Sequence, residues 1–503
     1  MGQESRVRSL VATEGQAQIG WKRTIGFSLG PIAGFILYLL PLPALSPSAH
    51  TLAAILTCVV IYWITEPIPL PVTALLGTGV CVIAGLGSIK SVFSSYAHPI
   101  IFLFIGSFLL AEALVVHGVH RRLALGILSI PWVGVKPSRI ALAMAGTTAM
   151  LSMWISNTAA TAIMLPIVLG VLSTIRETGT REESYETGVM LLVAYGAGAG
   201  GVATIIGTPP NLIGVGLLAE QANRAISFFE WMTIGLPISA LMLLLAYSLV
   251  TWLHPARHAV PDLSAQVQAQ RAALGPWTRG QWNACVSFGV AVTLWVFPGI
   301  VAAVWGPGHP LAVWFNAHIP KELVAILAAG LLFFLPVNWK AGEFTLSWVQ
   351  AANINWGTIL LFGGGLAFGS LMVQTDLAAT MGGGIVTWFG VNSLWALTAM
   401  AIVAALVLTE LASNTAAASM LVPVVIAIAH SAGVSPLPPT LGTCLAASLA
   451  FVLPVSTPPN AIVYGTGLVP ITKMVRAGLL LDLLGGVLIW GVLRLLCPLL
   501  GMT

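Results

Sequence analysis

The sequence predicts an all-α polytopic membrane protein of about eleven transmembrane helices plus two re-entrant helical hairpins, arranged as two inverted-topology repeats. Three observations lead there. Of 503 residues 57% are hydrophobic and only 7% charged, far below the roughly 25% charged residues of a soluble domain. Apolar stretches near the 20 residues a helix needs to cross the hydrocarbon layer recur along the chain, without the alternation of about 10 residues that marks a barrel strand. And one phrase is spoken twice. Ser156-Asn157-Thr158 is followed by Thr208-Pro209-Pro210-Asn211, and Ser413-Asn414-Thr415 by Thr457-Pro458-Pro459-Asn460.

Residues 1–23 are polar, with Arg6, Arg8, Lys22 and Arg23, and read as a cytoplasmic N-terminal tail rather than a cleaved signal. The first half, 24–253, holds spans at about 24–44, 49–64, 67–87 and 98–117, with Thr65-Glu66-Pro67 as a break. An interfacial helix follows across Arg121-Arg122 to Lys136. Two apolar pieces too short to span then flank the first Ser-Asn-Thr, the signature of a re-entrant hairpin at about 139–175. The fifth span, about 188–219, is interrupted by Gly196, Gly198, Gly200 and Gly201 and then by Pro209-Pro210, which remove N–H donors and unwind it. The sixth is about 231–253.

Residues 254–281 are the longest polar segment in the body of the chain and read as a cytoplasmic linker. The second half, 282–503, carries spans at about 282–305, 321–337 and 356–375, a glycine-rich stretch to 393 and a hairpin at about 394–430. A broken helix at about 440–468 and a last span near 477–500 complete it. Placing the N-terminus inside leaves only Lys90, Arg224, Lys321 and Arg494 of the 20 Lys and Arg outside. The C-terminus is then outside. The five crossings between the hairpins, being odd in number, make the first enter from the cytoplasm and the second from the opposite face, as in many secondary transporters.

Non-helical backbone at membrane depth survives only where protein or a water-lined cavity satisfies it. The two phrases therefore imply a polar site at the midplane. Ser156, Thr158, Thr208, Ser413, Thr415 and Thr457 offer hydroxyls, and Asn157 and Asn414 offer amides. A helix start behind each Ser-Asn-Thr favours negative charge, while carbonyls freed by the prolines suit a hard cation. No Lys or Arg lies close in sequence, so an anion would be held by dipoles, amides, hydroxyls and co-bound cations.

These signatures, in the order hairpin, broken helix, hairpin, broken helix, resemble the divalent anion/sodium symporter family along essentially the whole chain after the tail. The resemblance implies a homodimer with a scaffold domain and a mobile transport domain working as an elevator in the inner (plasma) membrane. It implies di- or tricarboxylates of the succinate, malate, 2-oxoglutarate and citrate class, or sulfate in some branches, with sodium co-transported. Carried onto matching positions, one sodium site takes Ser152, Ser156, Asn157 and the carbonyl near Gly207. The other takes Thr409, Ser413, Asn414 and the carbonyl near Ser456. Asn157, Thr158, Thr208, Asn414, Thr415 and Thr457 face the carboxylates, with Pro209 and Pro458 shaping the pocket. The family also holds exchangers with the same signatures, so a sodium-independent or proton-coupled carrier stays open.

The remaining features read more plainly. The absence of H-E-x-x-H and G-x-S-x-G argues against a membrane-embedded enzyme, and two opposed hairpins argue against a channel. No organic cofactor and no nucleic-acid partner are expected, and the five cysteines have no paired spacing. Pro438-Pro439 reads as a loop marker, and Gly363-Gly364-Gly365 and Gly382-Gly383-Gly384 as packing or flexible positions. His117 and His120 read as interfacial, and His98 has no evident partner. His254 and His258 do not make a helical ligand pair because Pro255 intervenes. Glu112 and Asp482 read as structural or interfacial. Glu410, beside Thr409, is balanced between a proton or cation carrier and a group that satisfies nearby donors.

Overall fold

The computed structural model describes residues 2–133, 136–177, 182–256, 264–389 and 393–503. It is helical apart from a two-stranded antiparallel ribbon, Pro336–Asn338 with Glu343–Phe344, which the sequence reading did not anticipate. Among the described residues nine helices are long and apolar enough to cross a membrane, or ten if Pro310–His318 and Lys321–Phe334, bent by 66°, count as one. The chain is thus a multi-pass membrane protein. Helix Gly2–Leu39 makes the expected tail continuous with the first span.

Local chemistry sets the helix ends. Ser46 caps Pro47–Thr65, and Glu66 ends that helix in the left-handed conformation at φ 49°. Reciprocal Ser227/Glu230 and Thr278/Gln281 capping boxes open Phe228–Leu253 and Arg279–Trp305, each satisfying two otherwise orphaned groups. Pro438 and Pro439, read as a loop marker, instead lie in the first turn of Leu437–Ala447, where a missing N–H costs nothing. His258 and residues 257–263 of the linker lie outside the described residues.

The first short phrase lies between helices Pro137–Ser152 and Asn157–Glu177, and its second copy between Leu394–Leu411 and Asn414–Ser431. We refer to these pairs as the first and second hairpins. The helix broken by the first Thr-Pro-Pro runs Glu183–Gly201 and Pro209–Gln221; its counterpart runs Leu437–Ala447 and Pro458–Tyr464. Pro209–Gln221 packs on the second arm of the second hairpin, and Pro458–Tyr464 packs on the second arm of the first. The two halves are interleaved at their motifs.

The glycines of the first broken helix do not interrupt it, contrary to the sequence reading: the helix continues through Gly201. Their role is close approach. A Cβ on Gly196 would lie 2.7 Å from Ala145 O, and one on Gly200 would lie 2.1 Å from Ala149 O, so the helix runs backbone to backbone against the first hairpin. Gly363 and Gly364 likewise admit Tyr96 and Ala74. Outward faces are apolar, as in Val403, Val407 and Leu411 and again in Leu479, Leu483 and Val487, all exposed at helical spacing. These are lipid-facing stripes.

This packing predicts opposite outcomes for two glycine substitutions. Gly200→Ala overpacks the hairpin contact and is expected to cost about 1–3 kcal/mol, lowering the melting temperature of the purified protein. Gly126→Ala, in helix Val119–Leu128 with nothing within 4 Å of the new carbon, should leave it unchanged or raise it by the helix-propensity difference of about 0.5–1 kcal/mol.

Candidate functional site

Each Ser-Asn-Thr begins with a helix cap. Ala159 N donates to Ser156 Oγ and Ala416 N donates to Ser413 Oγ, both at 3.2 Å. The capping role is therefore real, and it orients the two asparagines that follow. Ser152 Oγ lies 2.7 Å from Asn157 Oδ1 and 2.7 Å from the Ala197 carbonyl. At the matching place in the second half, Thr409 Oγ1 lies 2.9 Å from Asn414 Oδ1 and 2.6 Å from the Ala447 carbonyl.

These distances create a shortage of protons. A hydroxyl has one hydrogen to give, and here two acceptor oxygens stand within hydrogen-bond range of it. One acceptor in each trio is left facing oxygen. Ser152 and Thr409 are fully buried, so water does not relieve the deficit at the hydroxyl. Three converging oxygens, one hydroxyl, one amide and one carbonyl, form the hard, uncharged ligand set that suits an alkali cation. The carbonyls come from Ala197 and Ala447, which sequence reasoning missed because an alanine carbonyl leaves no mark in a motif.

Gly207 and Ser456 lie further along the turns that connect the broken halves. A Cβ on Gly207 would lie 2.4 Å from Gly201 O, and one on Gly201 would lie 2.5 Å from Asn157 Oδ1. The first turn folds back so tightly on the hairpin tip that only glycine fits at either place. Ser156, Thr158 and Pro458 are exposed; Asn157, Pro209, Ser413, Asn414, Thr415 and Thr457 are half-buried; Thr208 is buried. The tips thus present hydroxyl and amide groups outward while their Ser152 and Thr409 sides are sealed.

Two further residues belong to this architecture. Asn211 Nδ2 donates to Gly201 O at 3.0 Å and Thr204 O at 2.8 Å; Asn460 Nδ2 donates to Ala450 O and Leu453 O, both at 3.0 Å. Each asparagine takes up two carbonyls that the break frees from the preceding segment. The motif Thr-Pro-Pro-Asn carried this signal in its fourth letter. Both Oδ1 atoms are buried and have no partner.

The remaining candidates divide. His117 Nε2 meets Thr345 O at 2.6 Å, His120 Nδ1 meets Leu114 O at 3.0 Å, and His98 Nδ1 accepts from Ile100 N at 3.3 Å; all three serve the backbone. His254, where Phe228–Leu253 ends, is pushed down to about 4 by burial and by nearby Lys473 and Arg476. Glu410 is different. Its carboxylate accepts from Val452 N at 3.1 Å, Leu453 N at 3.3 Å and Ser456 Oγ at 2.5 Å, tying the second hairpin to the second turn.

A family model described as the sodium:sulfate symporter transmembrane region matches residues 22–502. The chain belongs to this family. Its curated relatives include a protein named sodium-dependent dicarboxylate transporter SdcS from Staphylococcus saprophyticus, 32% identical over 94% of this chain and 91% of its own. A Staphylococcus aureus protein of the same name is 31% identical over 94% of this chain and 92% of its own. Two solved transporters share the fold: Alcanivorax borkumensis YdaH, at TM-score 0.56 and 14% identity over 81% of this chain and 88% of that one, and Neisseria gonorrhoeae MtrF, at 0.56 and 12% over 82% and 83%. Membership of the symporter family makes the chain a transporter and not an enzyme.

The symporter's paired asparagines give a stability test. Asn211→Ala or Asn460→Ala strands two carbonyls in a buried turn and removes bonds worth about 0.5–1.5 kcal/mol each. Each substitution should lower the melting temperature of the detergent-solubilised protein, while Asn316→Ala, exposed on helix Pro310–His318, should move it far less.

Proposed function

We propose that the chain moves a divalent organic anion of the dicarboxylate class together with sodium, by alternating access. The observation that carries this reading is the duplicated oxygen trio, Ser152–Asn157–Ala197 and Thr409–Asn414–Ala447, buried behind two outward-facing Ser-Asn-Thr tips. Cations in the two trios offset the cost of bringing a doubly negative substrate to membrane depth without a basic side chain. The names of the staphylococcal relatives support both sodium and dicarboxylate.

In this reading Ser152, Ser156 and Asn157, with carbonyls from Ala197 and the turn at Gly207, take one sodium. Thr409, Ser413 and Asn414, with Ala447 and the turn at Ser456, take the other. Thr158, Thr208, Thr415 and Thr457 donate hydroxyl hydrogens to the two carboxylates, and Asn157 and Asn414 donate through Nδ2 while their Oδ1 atoms face the cations. Pro209 and Pro458 fix the turns that bring these donors round. Each asparagine so couples one cation to one end of the substrate, which links the two binding events energetically.

The hairpins and broken helices are the moving body, and the N-terminus is cytoplasmic, following the placement of Lys and Arg. A homodimer supplies the fixed frame against which that body slides.

The test is uptake of labelled succinate by proteoliposomes with sodium varied, in competition with malate, 2-oxoglutarate, citrate and sulfate. We expect uptake to require sodium and to be inhibited by dicarboxylates more strongly than by sulfate. Asn157→Ala and Asn414→Ala should each reduce uptake at least tenfold with normal membrane insertion. Undiminished exchange in sodium-free buffer would replace symport by sodium-independent antiport; near-normal transport by both variants would remove the site.

A further inference from the structure

The two hairpin tips match at their oxygen trios and differ in what stands beside them. Leu411 lies as far from Trp154 as Thr409 does from Ser152 and Asn414 from Asn157, so Trp154 and Leu411 are repeat partners. Leu411 is 52% exposed, on the lipid-facing stripe of its helix. Trp154 is half-buried against rings from elsewhere in the chain. Its centroid lies 5.2 Å from that of Phe288 with the rings at 90°, edge to face, and 6.4 Å from that of Phe228 with the planes 7° apart. Phe228 in turn stacks on Trp295 at 4.8 Å and 11°.

These rings are themselves held. Phe228 opens helix Phe228–Leu253 directly after its Ser227 cap, and Trp295 donates its Nε1 hydrogen to Lys321 O at 2.9 Å. Both are buried. Phe288 and Trp295 both lie on Arg279–Trp305, about two turns apart and so on one face. One residue before Trp154, the Met153 carbonyl accepts from Thr204 Oγ1 at 2.6 Å. Met153-Trp154 therefore ties the first Ser-Asn-Thr to the first turn by a hydrogen bond and to helix Arg279–Trp305 by rings.

The second tip is tied to its own turn through Glu410, but it carries no ring at the place of Trp154. Its helix, Leu394–Leu411, packs on Asn414–Ser431, Leu437–Ala447 and Ile471–Leu499, which are the other arm of the same hairpin, the second broken helix and the last helix. One tip is docked on a helix outside the hairpins and broken helices; the other presents an aliphatic side chain to lipid. Edge-to-face and stacked rings add a preferred geometry to plain burial, so the docked tip is also the better fixed.

We propose that Trp154 is a positioning residue, which holds the first tip against helix Arg279–Trp305 in this state and leaves Phe288 when the hairpins and broken helices move. The inference rests on the alternating-access reading above. Inverted repeats exchange access by rocking one part against another around a central site, and one docked tip opposite one free tip is the asymmetry of an end state. A ring contact between a moving tip and a helix outside the moving body does not survive the movement. Its strength therefore sets what fraction of the protein keeps the first tip in place, and Asn157, three residues on, is placed with it.

Cys285 reports on the contact. It is half-buried one turn before Phe288 on Arg279–Trp305, and residues three apart share a helix face. In purified full-length protein without sodium or succinate, labelling of Cys285 by N-ethylmaleimide, read peptide by peptide, should speed up in Trp154→Ala by about two- to tenfold, the population shift that losing an aromatic pair produces. Trp154→Phe keeps a ring and should stay within about twofold of the wild type. Phe288→Leu removes the partner without touching the hairpin and should act as Trp154→Ala does, and the two changes together should do no more than either alone. The buried thiols of Cys444 and Cys497 should keep their wild-type rates. Unchanged Cys285 labelling in both single variants, or a rise shared with Cys444 and Cys497, overturns the proposal. In sodium-driven uptake Trp154→Ala should raise the half-saturating succinate concentration by the same factor, because fewer molecules present a placed tip, with Trp154→Phe near the wild type. An unchanged value overturns the positioning role. Uptake indifferent to sodium, or no uptake of succinate at all, would instead sink the transport reading and leave the labelling to decide the tip contact alone.

Discussion

The structure depends on how broken backbone is satisfied inside an apolar body. Where a helix unwinds at Thr208-Pro209-Pro210 or Thr457-Pro458-Pro459, carbonyls lose their helical partners in a place without bulk water, and each unpaired group costs several kcal/mol in hydrocarbon. Asn211 and Asn460 meet that cost by returning their amide hydrogens to two of those carbonyls each. Ser152 and Thr409 reach across from the hairpins to the Ala197 and Ala447 carbonyls of the broken helices. What remains unsatisfied is oxygen, concentrated at two points. The same economy that keeps the turns stable gathers oxygens around Ser152 and around Thr409.

Glycine then determines how closely these parts meet. The first hairpin can only bring Asn157 to the end of its broken helix because Gly196 and Gly200 let the two backbones touch, and because Gly201 leaves room for the asparagine side chain. At the crossing of the two broken helices the rule repeats, with Gly198 under Phe451 and Gly214 against Cys444. Small residues at interfaces are the usual means of helix association in lipid, where hydrophobicity alone drives nothing together. Here they also let the polar groups of the hairpin tip and the first turn come together.

Much of this was legible in the chain because the motif residues carry their physics in their side chains. Paired prolines announce a lost N–H, and a Ser-Asn-Thr between short apolar pieces announces a helix start at depth. Ser152 and Thr409 came from the resemblance to the symporter family, and stand at equal spacing before Asn157 and Asn414. What stayed hidden was supplied by backbone or by tertiary contact. Ala197 and Ala447 act through carbonyls that any residue would have. Pro438-Pro439 opens a helix just as Pro209-Pro210 and Pro458-Pro459 do, and nothing in the dipeptide says whether the segment before it belongs to the same broken span. The glycines before Thr208 were misread as breaks because a glycine that weakens a helix and one that admits a neighbour are the same letter.

Asp482 shows the limit of reading one segment at a time. In sequence it is a lone acid in a long apolar helix, and an interfacial role is the simplest account of it. Only the packing of the last helix on the second turn puts it beside Glu410, where the first half has Met153 in the place of that glutamate. The duplication is thus close in backbone and in the Ser-Asn-Thr and Thr-Pro-Pro-Asn phrases, while the side chains packed beside the two copies differ in charge, a contrast that only tertiary contact exposes.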